Sequence, residues 1–294
     1  MLRLPPSHVL PRTRPRQTLS EENKLHAILE KHITHQRKLT MKHKVLEFYT
    51  LPPIPYPFIL INARNPQINY VLQFKPVVQK IILDSGIEIF RNPNIKDYPP
   101  NHLEKIVILY RKLRRLFPKA EIRATVPDYC DDYHPKNLWL SEEVTNIERT
   151  VQNIIHATET YPDINWLIPI QGWNHQPSSI ERCIKQLNDY DLNDYNYYAI
   201  GNLCVEINAK IIHETAKIAR KLLPEKRLHI FGLKLKAIPL VYPFINSFDS
   251  MAWTRPVDTS LNANWSYKTT KEKIQFFKAW LNRLNRYLSQ SYLL

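Results

Sequence analysis

Glycine is the scarce residue: the chain has four in 294 positions, where ordinary usage would supply about 20. All four close short apolar runs, at Ile81-Ile82-Leu83-Asp84-Ser85-Gly86, Trp166-Leu167-Ile168-Pro169-Ile170-Gln171-Gly172, Tyr198-Ala199-Ile200-Gly201 and Leu228-His229-Ile230-Phe231-Gly232. A chain that avoids glycine keeps it where backbone must bend with positive φ or lie against a ligand. Cysteine is also sparse. Cys130, Cys183 and Cys204 are widely separated and odd in number, which excludes a disulfide framework and paired zinc-ligand spacing and predicts a reducing interior without a structural metal. No apolar run approaches the ~18 residues that span a membrane. Pro5, Pro6, Pro11 and Pro15 interrupt the apolar core that a signal peptide requires. The expectation is a soluble, cytoplasmic protein without a membrane partner.

Basic charge is plentiful. The formal net charge is +14 and the pI about 9.6, which suits a polyanionic partner, nucleic acid first, or a generally basic surface. Residues 1–19 set Arg3, Arg12, Arg14 and Arg16 among four prolines, an arm expected to be disordered or to lie along phosphates. A helix is expected over 20–44, with Leu25, Ile28, Leu29 and Ile33 on one face. His32 and His35 on its other face are read as solvated, since no third metal ligand stands nearby.

From residue 45 apolar runs of four to seven residues alternate with amphipathic stretches. The runs are Val45–Tyr49, Phe58–Asn62, Ile81–Asp84, Ile122–Asp128, Trp166–Gln171, Tyr197–Gly201, Leu228–Gly232 and Ile245–Asp249. Between them Ile106, Val107, Tyr110 and Leu113 share a helix face, as do Ile147, Val151 and Ile154. Ser178 with Glu181, and Thr269 with Glu272, have the spacing of capping boxes. Eight near-continuous strands alternating with helices predict an α/β fold, a (β/α)8 TIM-type barrel over 45–294 with a C-terminal helix. The eight residues Thr50–Pro57 are short for a parallel crossover, so the first strand is either an added hairpin or miscounted.

A barrel of this kind places functional groups at the C-terminal ends of its strands. Those ends carry Asp84, Asp128, Gln171, Gly201, Gly232 and Asp249. Asp249, in Ser247-Phe248-Asp249-Ser250-Met251-Ala252-Trp253-Thr254-Arg255-Pro256, is a candidate nucleophile or a loop Asp that caps the following turn.

These motifs, in this order, resemble the tRNA-guanine transglycosylases (queuine and archaeosine tRNA-ribosyltransferases) and their DNA-guanine transglycosylase relatives. Asp84-Ser85-Gly86 is similar to the family's Asp-Ser-Gly-Gly, and Val126-Pro127-Asp128 to the setting of its base-reading Asp. Gln171-Gly172 looks like Gln-Gly-Gly, and Tyr198-Ala199-Ile200-Gly201-Asn202-Leu203 like Tyr-Ala-Ile-Gly-Gly-Leu. Phe248-Asp249 with Thr254-Arg255 looks like the nucleophile segment. The likeness runs from Ile81 to Pro256. It departs where Ile87, Trp173 and Asn202 replace second glycines, and where no Cys follows Cys204 to form the family's zinc-binding segment, so no zinc subdomain is expected. That loss and the basic N-terminal region look more like the DNA-modifying branch.

The resemblance implies a pentosyltransferase that needs no cofactor and exchanges guanine for a 7-deazaguanine such as 7-cyano-7-deazaguanine, in DNA rather than tRNA. It assigns Asp249 as nucleophile and Asp84 as general acid/base. Asp128, Gln171, Gly172, Ser85 and the backbone at Gly201 would bind the base. Phe90 or Tyr129 would stack on it or belong to the core. Arg255, Lys234 and Lys236 are candidates for the nucleic-acid backbone, with Arg255 alternatively pairing an acid; Lys105, Arg111, Lys112, Arg114 and Arg115 form a basic helix face that tracks phosphates or is simply solvated. The tRNA enzyme, an N-glycosidase and a non-catalytic nucleic-acid-binding paralogue are the alternatives, and a homodimer or a partner subunit stays open.

Overall fold

A computed structural model describes residues 46–134, 136–254 and 269–291. The arm expected at 1–19, the helix expected at 20–44 and Arg255 lie outside the described residues. Eight short strands follow the apolar runs: β1 Glu47–Tyr49, β2 Phe58–Asn62, β3 Lys80–Asp84, β4 Glu121–Thr125, β5 Trp166–Ile170, β6 Tyr197–Ile200, β7 Arg227–Ile230 and β8 Ser247–Asp249. Every pairing is parallel, in the order β1-β8-β7-β6-β5-β4-β3-β2. The ring closes between β1 and β2 at Thr50, whose N–H donates to Phe58 O (3.1 Å) and whose carbonyl accepts from Leu60 N–H (2.8 Å). The fold is thus a (β/α)8 barrel.

The first strand is neither a hairpin nor a miscount. Thr50, at the end of β1, lies level with Ile59, near the start of β2. The stagger that closes a barrel therefore leaves the connecting segment little height to recover. A Pro-rich loop suffices where a crossover helix was expected.

The helices are α1 Ile68–Gln73, α2 His102–Leu116, α3 Asn146–Thr160, α4 Ile180–Asp189, α5 Ala209–Leu222, α6 Ile238–Val241 and α7 Thr270–Ser291. α2 turns Ile106, Val107, Tyr110 and Leu113 inward, the 3.6-residue stripe read from the sequence. Thr269 and Glu272 cap α7, with Thr269 N–H donating to Glu272 Oε2 at 2.8 Å and Glu272 N–H to Thr269 Oγ1 at 3.3 Å. The box expected at Ser178 and Glu181 does not form. Pro177–Ser179 is a 3-10 turn, and Ser179 is tied to the preceding loop by accepting Trp173 N–H and donating to Gln176 O. A capping box that the sequence reading passed over, Thr145 with Glu148, opens α3 instead.

Alternation along the strands layers the interior. The first inward positions are charged: Glu47, Lys80, Glu121, Arg123 and Arg227 form one network on the barrel floor, with contacts of 2.5 Å (Lys80–Glu47), 2.9 Å (Arg227–Glu47), 2.9 Å (Arg123–Glu121) and 3.4 Å (Lys80–Glu121). Tyr197 lies against the Arg227 and Arg123 guanidinium groups, 4.5 and 5.0 Å from its ring centroid. Above the floor Tyr49, Leu60, Ile82, Leu167, Ala199 and Phe231 make an apolar plug, and above the plug sit the strand ends.

Because β1 brings no crossover helix, its outer face is covered by α7, the last helix. Phe48 meets Trp280 at 4.4 Å, Phe248 at 5.2 Å and Phe277 at 6.1 Å between ring centroids, and is almost fully buried. Phe48→Ala is expected to destabilise the protein by about 3–5 kcal/mol, measured as a lowered midpoint of denaturant unfolding; a loss below about 1 kcal/mol would mean that this seam does not hold the barrel shut.

Candidate active site

The mouth of the barrel opens into a cavity of about 630 Å³, within the ~300–1,000 Å³ of small-molecule sites. Asp84, Asp128, Gln171, Gly201 and Asp249 all line it, together with Asn62, Glu88, Arg91, Asp132, Asn202, Phe231 and Lys234. Residues 165 positions apart, Asp84 and Asp249, thus face one space because β3 and β8 end on the same rim.

Asp249 is held from one side. Its Oδ1 accepts the Gly232 N–H at 3.0 Å and meets His229 Nε2 at 3.2 Å. Gly232 can aim its N–H there because it takes φ +65°, and a Cβ at this position would stand 3.0 Å from the Cys204 Cα. Neither donor engages Oδ2, and no other hydrogen bond to it is made among the described residues.

Asp84 is placed differently. Burial is the main force pushing its carboxyl well above the usual range, and the negative charges of Glu88, Asp128 and Asp249 push the same way, against one hydrogen bond from the Gly86 N–H. A carboxyl in such a place holds its proton more tightly than an ordinary aspartate. Asp128 is buried beside it, accepts Ser85 Oγ–H at 2.8 Å and is bonded by the Gln171 amide. Burial raises it to about 6, opposed by those two hydrogen bonds. The Gln171 side chain lies flat across Gly201, where any Cβ would stand 2.2 Å from Nε2. Glycine is required at 201 to leave the amide its place.

The other expected site residues divide. Ser85 is fully buried and acts from behind, through Asp128. Gly172 is packed under Ser179 and does not line the cavity. Phe90 is not a stacking platform: the 3-10 turn Ile87–Arg91 carries it into a closed cluster with Ile89, Tyr129 and Leu138, its ring 5.4 Å from that of Tyr129. Tyr129 belongs to the same cluster. Lys234 reaches the cavity, but its ammonium is bonded to the carbonyls of Cys204 and Gly232, so it braces the mouth. Lys236 is exposed on the next turn, away from the cavity. The basic face of α2 is exposed, with Arg111 Nη2 donating to both carboxylate oxygens of Asp163 at 3.0 and 3.1 Å.

Sequence reasoning passed over His229, Asp132, Glu88 and Arg91. His229 was detectable by counting two residues back from Phe231 along β7, which gives it the same inward face. Asp132 is buried at the cavity with Oδ1 unpartnered. Asn202, standing where the resembled motif has glycine, takes φ +56°, a left-handed conformation that Asn tolerates. Among the described residues no group of three or more His, Cys, Asp or Glu side chains is placed to hold a metal ion, and no helix is long and apolar enough to cross a membrane.

The sequence matches no protein-family model and no curated protein sequence. The site's chemistry therefore rests on its own geometry. Three carboxyl groups and one amide can bind a heterocycle edge, donate a proton and present a free carboxylate oxygen in one enclosure.

The Asp128 carboxyl has a testable titration. Its folded-state value, about 6, lies above the ordinary 3.8, so the native state binds the proton more tightly. The stabilisation is complete below the ordinary value and is lost as pH rises through about 6, a decrease of about 3 kcal/mol from this group. Carbon-13 NMR of the labelled Asp128 carboxyl should show a midpoint near 6, and a midpoint at or below 4 would mean that the site is wetter than described.

Proposed function

We propose that the protein is a base-exchange glycosyltransferase that replaces guanine by a 7-deazaguanine in DNA through a covalent aspartyl-glycosyl intermediate. The observation that carries this reading is that Asp84 and Asp249 border a single cavity, with the Asp128–Gln171 pair on the same wall. Two carboxyl groups in different environments, one pushed toward its protonated form and one with an oxygen clear, are what a double displacement at a sugar carbon uses.

In this mechanism Asp249 Oδ2 attacks C1′ of the nucleotide, and the C1′–N bond breaks with its electron pair passing to the ring nitrogen. Asp84 gives its proton to the departing base. The incoming base then returns a ring N–H proton to Asp84 and attacks C1′, and the ester electron pair goes back to Asp249. Asp128 and Gln171 accept from and donate to the base edge. The raised carboxyl of Asp128 lets it act as donor or acceptor as pH requires.

A base stacked in a duplex cannot enter such a cavity, so the nucleotide must be flipped out or already single-stranded. The net charge of +14 favours the polyanion. DNA is preferred over tRNA on the sequence argument alone, that no Cys follows Cys204 where the resembled tRNA enzymes bind zinc.

Incubation with DNA or tRNA and labelled 7-cyano-7-deazaguanine should put label into DNA. Label in tRNA alone would reject the DNA reading, and free base without incorporation would mean a hydrolase. Asp249→Asn should lower exchange at least 1,000-fold (order of magnitude, as for loss of a nucleophile) and remove the denaturant-stable adduct; retained turnover would remove Asp249 from its role.

A further inference from the structure

Under Asp249 a line of hydrogen bonds runs to the barrel floor. His229 is fully buried, with Nε2 3.2 Å from Asp249 Oδ1 and Nδ1 2.7 Å from Ser247 Oγ. Ser247 Oγ in turn bonds the Tyr197 hydroxyl. The imidazole is gripped by the ring of Phe231 at 4.9 Å and that of Tyr49 at 5.7 Å, both edge-on, so it cannot turn without moving the plug.

The direction of the line follows from the atoms. A carboxylate oxygen only accepts, so Nε2 carries the proton. With the imidazole as the Nε2–H tautomer, Nδ1 accepts, the Ser247 hydroxyl donates to it, and the Tyr197 hydroxyl donates to Ser247. Every donor points toward Asp249. At the far end, the Tyr197 ring faces the Arg227 and Arg123 guanidinium groups.

We infer that His229 is a positioning residue which, with the Gly232 N–H, reserves Oδ1 of Asp249 as a permanent acceptor and leaves Oδ2 as the attacking oxygen. This rests on the exchange reading above. When Oδ2 forms the ester with C1′, Oδ1 becomes its carbonyl oxygen and keeps both donors. When the ester breaks, the electron pair returns to a carboxylate that the same donors already stabilise. No side chain has to move between the two steps.

The test has two arms. Nitrogen-15 NMR of the imidazole in the full-length protein should show His229 as the Nε2–H tautomer; the Nδ1–H tautomer would overturn the inference whatever the protein's activity. In the second arm, His229→Gln, which can keep a donor near Nε2, is compared with His229→Phe, which cannot. His229→Phe should slow adduct formation about 100-fold, the scale of a lost preorganised donor, with KM for the incoming base unchanged, and His229→Gln should recover most of that rate. Equal rates in all three proteins, or equal losses in both variants with a raised KM, would overturn it. Absence of exchange in the unmodified protein would sink the exchange reading, while the tautomer would still decide whether His229 holds Oδ1. Should His229→Phe fail to fold, Ser247→Ala replaces it, with loss of the single tautomer as the expected spectral result and its retention as the contrary one.

Discussion

Repulsion among carboxyl groups that share one cavity is the constraint that shapes this molecule. Asp84, Asp128 and Asp249 border one space, and three full negative charges there would be costly. The barrel resolves the cost by giving each group a different environment. Asp84 is left with little but the Gly86 N–H, and its carboxyl is pushed up; Asp128 is shared between Ser85 and Gln171; Asp249 receives a backbone N–H and an imidazole.

The rest of the barrel supports that division. Its floor carries three cations, Lys80, Arg123 and Arg227, against two acids, Glu47 and Glu121, so the closed end offers positive charge beneath a negative mouth. The Tyr197–Ser247–His229 line crosses the apolar plug between them. A buried network of this kind is useful only when every member has a partner, and here each polar atom of the line is engaged. At the seam of the ring, the aromatic packing of α7 on Phe48 holds β1 against β8, the strand that ends in Asp249.

Much of this was readable in advance, for a local reason. Short apolar runs ended by Asp, Gln or Gly mark parallel strands delivering polar groups to one rim, and Asp84, Asp128, Gln171 and Asp249 were found that way. What could not be read depends on the closed ring. The level match of Thr50 with Ile59 is a property of stagger, so the β1–β2 loop looked too short. Phe90 was left between base and core because the 3-10 turn that carries it into a satellite core is invisible as a pattern. Lys234 looked free until the carbonyls of Cys204 and Gly232 were in place. His229 sits inside an apolar run, and its meaning comes from Ser247 and Asp249 on the neighbouring strand, 18 and 20 positions away. Ser178 forms no capping box because it lies inside the 3-10 turn Pro177–Ser179, which runs directly into α4.

The proposed exchange requires two aspartates to address one ligand. A crystal structure of the protein soaked with a 7-deazaguanine tests this most directly. The base should lie with its edge on Asp128 and Gln171 and with the ring nitrogen that would carry the sugar turned toward the space between Asp84 and Asp249. A base bound elsewhere on the molecule, or seated in the cavity with that nitrogen facing away from both carboxyl groups, would contradict it.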